Sequence, residues 1–128
     1  MRILIVDPHE PFRQALADLL TELCSDAPRE VDVVQTGDAE LAGDLAERTR
    51  FDLVLVDLAI GAQGLIGHLA ALRPRLVVIA MAGDDEPVLA AAASRAGASR
   101  LISRAIGPRR LAAHVREALE SSCHGRDS

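Results

Sequence analysis

The stretch that most constrains the fold is Phe51 to Asp57, FDLVLVD. Its four consecutive apolar residues, Leu53 to Val56, are all branched and too few to make a helix alone. Such a run reads as a short strand buried on both faces, which requires a parallel sheet covered by helices on either side. The run stops at a carboxylate, Asp57, and a glycine-containing stretch, Leu58 to Gly64, follows. α/β proteins place their chemistry in the crevice at the carboxyl ends of such strands. Taken alone, Asp57 is also readable as an ordinary solvated loop aspartate.

The rest of the chain repeats this arrangement. Ile3 to Val6 (ILIV) is a second buried-type run, and it too ends in a carboxylate, Asp7. Further strand-like runs are Val31 to Gln35, Leu76 to Met81 and Ser99 to Ser103. The less apolar Val31 run suits a sheet edge. Strands therefore start near residues 3, 31, 52, 76 and 99, about one every 24.

Helical patterns fill the gaps. Pro11 is tolerated in a first turn, where its missing N–H has no partner to lose. Phe12, Leu16, Leu19, Leu20 and Leu23 then form one stripe. Asp38 opens a second helix, with Leu41, Leu45 and the alanines as its inner face. A third runs from about Leu65 to Leu72 and stops at Arg73-Pro74. A fourth, Val88 to Ala96, has Asp84 or Asp85 as N-cap and Gly97 as its stop. The last starts at Pro108, with Leu111, Val115, Ala118 and Leu119 inward. Ser25 to Glu30 is a polar connection, and Ser121 to Ser128 reads as a polar, frayed tail. Five βα units predict a doubly wound, five-stranded parallel sheet of order 2-1-3-4-5, the flavodoxin-like fold class. The domain spans residues 1–120 and the flexible tail 121–128.

Composition narrows the function. The length of 128 residues suits one domain. A net charge of −5 gives no basic nucleic-acid surface, so no direct nucleic-acid binding is expected. All 14 basic residues are arginine, so a site that needs a lysine amine cannot have one. Cys24 and Cys123 match no metal or redox spacing and read as free thiols. No signal peptide and no run of membrane-spanning length is visible, so the chain reads as soluble and cytoplasmic.

In the 2-1-3-4-5 order the first and third strands are neighbours, so Asp7 and Asp57 should face one pocket. Two carboxylates about 5–6 Å apart repel by roughly 3 kcal/mol at an effective dielectric of 20. A hard divalent cation such as Mg²⁺ is the usual reason for keeping such a pair.

The runs ILIVDPHEPFRQALADLL, FDLVLVDLAI, VVIAMAGDDE and AGASRLISR resemble the receiver domain of bacterial two-component response regulators, over about residues 2 to 120. The N-terminal part is most similar to receivers that precede a helix-turn-helix DNA-binding domain. The resemblance implies that Asp57 accepts a phosphoryl group from a histidine kinase or other phosphodonor. It implies Mg²⁺ held by Asp7, Asp57 and the backbone carbonyl of Ala59. It further implies signalling by protein–protein contact or homodimerisation in transcription regulation. No enzyme activity is expected beyond slow self-phosphorylation and self-dephosphorylation. Output in this family flows through the face of the fourth helix, fifth strand and fifth helix, near Arg100, Arg104, Arg109 and Arg110, or through dimers of the first and last helices.

Four positions depart from the family pattern. Pro8 replaces a second acidic residue that normally touches the metal. Glu10 is the candidate substitute, although a solvated first-turn glutamate is the commoner outcome, and His9 reads as exposed and not a ligand. Met81 stands where a hydroxyl residue normally binds the phosphoryl group. Arg104 replaces a lysine, keeping the charge on a bulkier fork. Leu101 replaces the aromatic residue that normally switches inward. The loop after Asp57, LAIGAQG, is also altered.

Two functions stay open: a receiver with weakened, Mg²⁺-dependent phosphorylation, and an atypical receiver controlled by a partner or ligand without phosphate. A phosphatase would want Asp-x-Asp after the first strand, and Asp7-Pro8-His9 and Asp57-Leu58-Ala59 both fail. A flavodoxin would want a hydroxyl- and glycine-rich loop where PHEP stands.

Overall fold

The computed structural model describes residues 1–24, 31–58, 63–83 and 85–127, without the side chains of 63 and 122–127. Among the described residues, five strands alternate with five helices. In chain order these are β1 (Arg2–Val6), α1 (Glu10–Leu23), β2 (Asp32–Thr36), α2 (Ala39–Arg48), β3 (Leu53–Asp57), α3 (Gln63–Leu72), β4 (Val77–Ala82), α4 (Pro87–Ala96), β5 (Arg100–Ser103) and α5 (Pro108–Asp127). All pairings are parallel, and the sheet order is β2-β1-β3-β4-β5, as expected.

The central strand owes its place to its residues. Every position of β3 is buried, and each fully buried Val or Leu contributes roughly 1.5–3 kcal/mol. Alternation sends its side chains to two separate cores. Val54 and Val56 pack with Leu4, Val6, Val78 and Ala80 under α2, α3 and α4. Leu53 and Leu55 pack with Ile3, Ile5, Ile79 and Met81 under α1 and α5. The two edge strands, β2 and β5, are only partly buried.

The helix ends follow local chemistry, with some differences from expectation. Asp38 caps α2 by accepting from the Glu40 N–H at 2.9 Å. Gly97 ends α4 in the left-handed region, φ 119°. The N-cap of α4 is Glu86, not Asp85; its carboxylate reaches back to the Gly83 N–H at 2.9 Å. Asp84 lies outside the described residues, as does the connection 25–30.

The inner face of α2 is carried by Ala42 and Ala46, while Leu41 is 47% exposed. The alanines let the helix sit close to the sheet, and this rotates Leu41 onto the flank. Leu45 is partly buried against the same core. The backbone of α5 continues helical to Asp127, through the stretch where polar composition suggested a tail. No helix among the described residues is long and apolar enough to cross a membrane.

Candidate functional site

The site lies at the carboxyl edge of the sheet, on the face covered by α1 and α5. Ile3, Ile5 and then Asp7 alternate on β1; Leu53, Leu55 and Asp57 alternate on β3. The period of two therefore sends both carboxylates to the same side as that core. Met81 shares the row, since it is the register partner of Asp57 on β4.

The end of β1 is held in place by its neighbours. The Asp7 N–H donates to the Thr36 carbonyl on β2 at 3.0 Å. Arg13 donates from Nη1 to the Asp7 carbonyl at 2.7 Å and from Nε to Gln35 Oε1 at 3.0 Å. Gly37 leaves room for this guanidinium; a Cβ there would stand 3.0 Å from Arg13 Nη1.

Both Asp7 and Asp57 are fully buried. Two positive or polar groups cover them. Arg104, in the short 3-10 turn Arg104–Ile106 after β5, places Nη1 2.6 Å from Asp57 Oδ2. His9, the N-cap of α1, donates its backbone N–H to Asp7 Oδ1 at 2.8 Å. Its ring Nδ1 lies 3.0 Å from the same oxygen and 3.5 Å from Asp57 Oδ2. The ring itself is 57% exposed.

Asp7 Oδ2 is buried and accepts no hydrogen bond among the described residues. Burial pushes the Asp7 carboxyl above the usual carboxylate range; the His9 backbone N–H opposes this and the Asp57 charge adds to it. An orphaned buried oxygen beside a second carboxylate fits a bound cation. One donor atom each from Asp7, His9 and Asp57 lies within 4.8 Å of the others.

The expected site residues are thus distributed as follows. Asp7, Asp57 and Arg104 come together. Met81 is fully buried beside them and offers no hydroxyl. Leu101 points away from the α1/α5 core, on the opposite side from its neighbour Ile102, and is 42% exposed. Pro8 and Glu10 are exposed, and Glu10 stands outside the close donor group. The Ala59 carbonyl and the loop residues 59–62 lie outside the described residues.

His9 is exposed, as expected; what sequence reasoning missed is that its ring also lies against both carboxylates. A usable signal was present: an aspartate at a strand end often accepts from the N–H two residues on, which folds that residue back over the carboxylate.

The model of the response regulator receiver domain matches residues 3–116. The chain belongs to the response regulator receiver family. Similar solved structures include NtrX from Brucella abortus in complex with ADP, 26% identical with a TM-score of 0.81, covering 98% of this chain and 28% of that one. A CheY-like receiver domain protein from Methanospirillum hungatei is 24% identical with a TM-score of 0.79, covering 97% of each. HP1043, an orphan response regulator of H. pylori, is 18% identical with a TM-score of 0.80, covering 93% of this chain and 96% of that one. The receiver thus spans about a quarter of the NtrX chain it resembles. No curated protein matches it.

Proposed function

We propose that this receiver accepts a phosphoryl group on Asp57, with slow chemistry, and passes the signal by contact with another protein or a second copy. The observation that supports this reading is the convergence of Asp7, Asp57 and the Arg104 guanidinium on one pocket at the sheet's carboxyl edge. A carboxylate oxygen of Asp57 would attack phosphorus and form an acyl phosphate while the donor's leaving group departs. Arg104 would follow the charge, moving from the carboxylate to the phosphoryl oxygens. Asp57 has no exposed surface, so groups that cover it, Arg104 among them, would have to shift before a donor reaches it.

Asp7 and Asp57 would hold a divalent cation such as Mg²⁺, with the Ala59 carbonyl as a further ligand on the family pattern. When bound, the cation neutralises the transferring phosphoryl oxygens. Weak Mg²⁺ affinity and slow transfer follow from Pro8 and Met81, since losing one stabilising donor typically costs about 10²–10³-fold. Histidine kinases or small acyl phosphates are the donor class. A role in transcription, and dimerisation, belong to this proposal.

Met81 and Leu101 favour a second reading. Without a hydroxyl beside Asp57 and with Leu101 facing away from the pocket, the usual coupling of phosphate to the output face has no parts. The domain would then act as a partner- or ligand-controlled binding module. Mass measurement after incubation with acetyl phosphate and millimolar Mg²⁺ separates the two. A phosphoryl adduct in the wild type and none in Asp57→Asn is the expected result. Absence of any adduct, together with full signalling by Asp57→Asn in cells, supports the second reading instead.

A further inference from the structure

The pocket mixes oxygen and nitrogen donors, and metal ions differ in how they value the two. His9 is held there by its own backbone: the N–H bond to Asp7 Oδ1 at 2.8 Å fixes the residue at the start of α1 and turns its ring over the carboxylates. Nδ1 then stands 3.0 Å from Asp7 Oδ1 and 3.5 Å from Asp57 Oδ2. Asp7 Oδ2, buried and without a hydrogen-bond partner among the described residues, supplies a further lone pair. Mg²⁺ takes oxygen ligands in a strict octahedron and keeps several waters. Imidazole nitrogen suits borderline ions such as Zn²⁺, Co²⁺ and Ni²⁺.

We propose that Asp7, Asp57 and His9 Nδ1 form a mixed oxygen–nitrogen site that selects a divalent transition-metal ion over Mg²⁺. This rests on the reading of the pocket as the receiver's cation site. Arg104 sets the affinity from the other side. Its Nη1 is 2.6 Å from Asp57 Oδ2 and 3.4 Å from His9 Nδ1, so guanidinium and metal compete for the same two groups.

Calorimetric titration of the full 128-residue chain with Co²⁺ and with Mg²⁺ tests this, using the metals alone. His9→Ala is expected to weaken Co²⁺ binding at least tenfold and to change Mg²⁺ binding less than threefold. His9→Asp, which replaces the nitrogen with oxygen, is expected to shift the preference back toward Mg²⁺. Arg104→Gln is expected to tighten both. Zn²⁺ should shift the His9 ring ¹⁵N resonances in the wild type and not those of His68, which pairs with Glu47 at 3.1 Å on another surface. Equal loss of Co²⁺ and Mg²⁺ affinity in His9→Ala, or no loss of either, overturns the proposal. Circular dichroism of each variant excludes unfolding as the cause. A beryllofluoride adduct on Asp57, scored separately in each metal, keeps the two readings apart. Its absence with every metal defeats the phosphoacceptor role, and an unchanged Co²⁺-to-Mg²⁺ ratio in His9→Ala defeats metal selection even where the adduct forms.

Discussion

Asp7 carries much of the electrostatic cost of the pocket. Its folded carboxyl titrates above the unfolded value, chiefly through burial, so between those two values the folded protein keeps a proton that the unfolded chain has released. Stability from this group is present below the ordinary carboxylate pKa and is lost as pH rises through the raised one. Metal-free protein should therefore become more heat-stable as pH falls from neutral into that window. Asp7→Asn should remove this pH dependence and stabilise the metal-free protein by about 1–3 kcal/mol at neutral pH, several degrees in Tm. Thermal melts in a chelator across pH check both. Met81 makes the opposite trade. Met81→Thr should cost about 1–3 kcal/mol, through a cavity and a buried hydroxyl, while raising the rate of acetyl phosphate uptake by at least tenfold. Urea melts and timed mass spectra measure the two effects on one preparation.

Individual elements show where packing overrules pattern. Gly97 was legible as a helix stop from its position after an alanine-rich run. Its neighbour was not: a Cβ there would stand 2.8 Å from the Ala70 Cβ on α3. Gly97→Ala combines that clash with a left-handed backbone, φ 119°, and should destabilise by about 1–3 kcal/mol. Gly67, inside α3, has open space around the same position. Gly67→Ala should stabilise by about 0.5–1 kcal/mol. Paired urea titrations of the two variants should move the midpoint in opposite directions. The turn of α2 onto Ala42 and Ala46, and not Leu41, has a similar origin. Positions one residue apart on a helix differ by only about 100°, and closeness to the sheet decides between them.

Across the whole molecule, a cation held by the pocket would be linked to folding, because the unfolded chain has no assembled pocket. A metal held at about a hundred times its Kd should add roughly 2.7 kcal/mol to unfolding. That gain should vanish in Asp57→Asn, as read by calorimetric scans with and without the ion. The same assembly explains which parts of the site could be read in advance. Asp7 and Asp57 each close an apolar run, and the parity of β1 and β3 already aims them at one side of the sheet. Arg104 follows β5 with matching parity. His9 carries no such periodicity, since it sits between elements, and its ring direction depends on a hydrogen bond to a buried carboxylate.

Hydrophobic runs with a period of two, helix stripes between them and punctuation by Pro and Gly were enough to determine five βα units, a sheet buried on both faces and two acids at its carboxyl edge. Those features follow from local stereochemistry and from the need to bury apolar surface. Tertiary structure decided how near the His9 imidazole comes to both carboxylates, that a guanidinium already sits on the Asp57 oxygen, and that Leu41 leaves the inner face of α2 to Ala42 and Ala46. Each depends on groups distant in sequence meeting at a few ångströms, where electrostatics and packing outweigh any local preference.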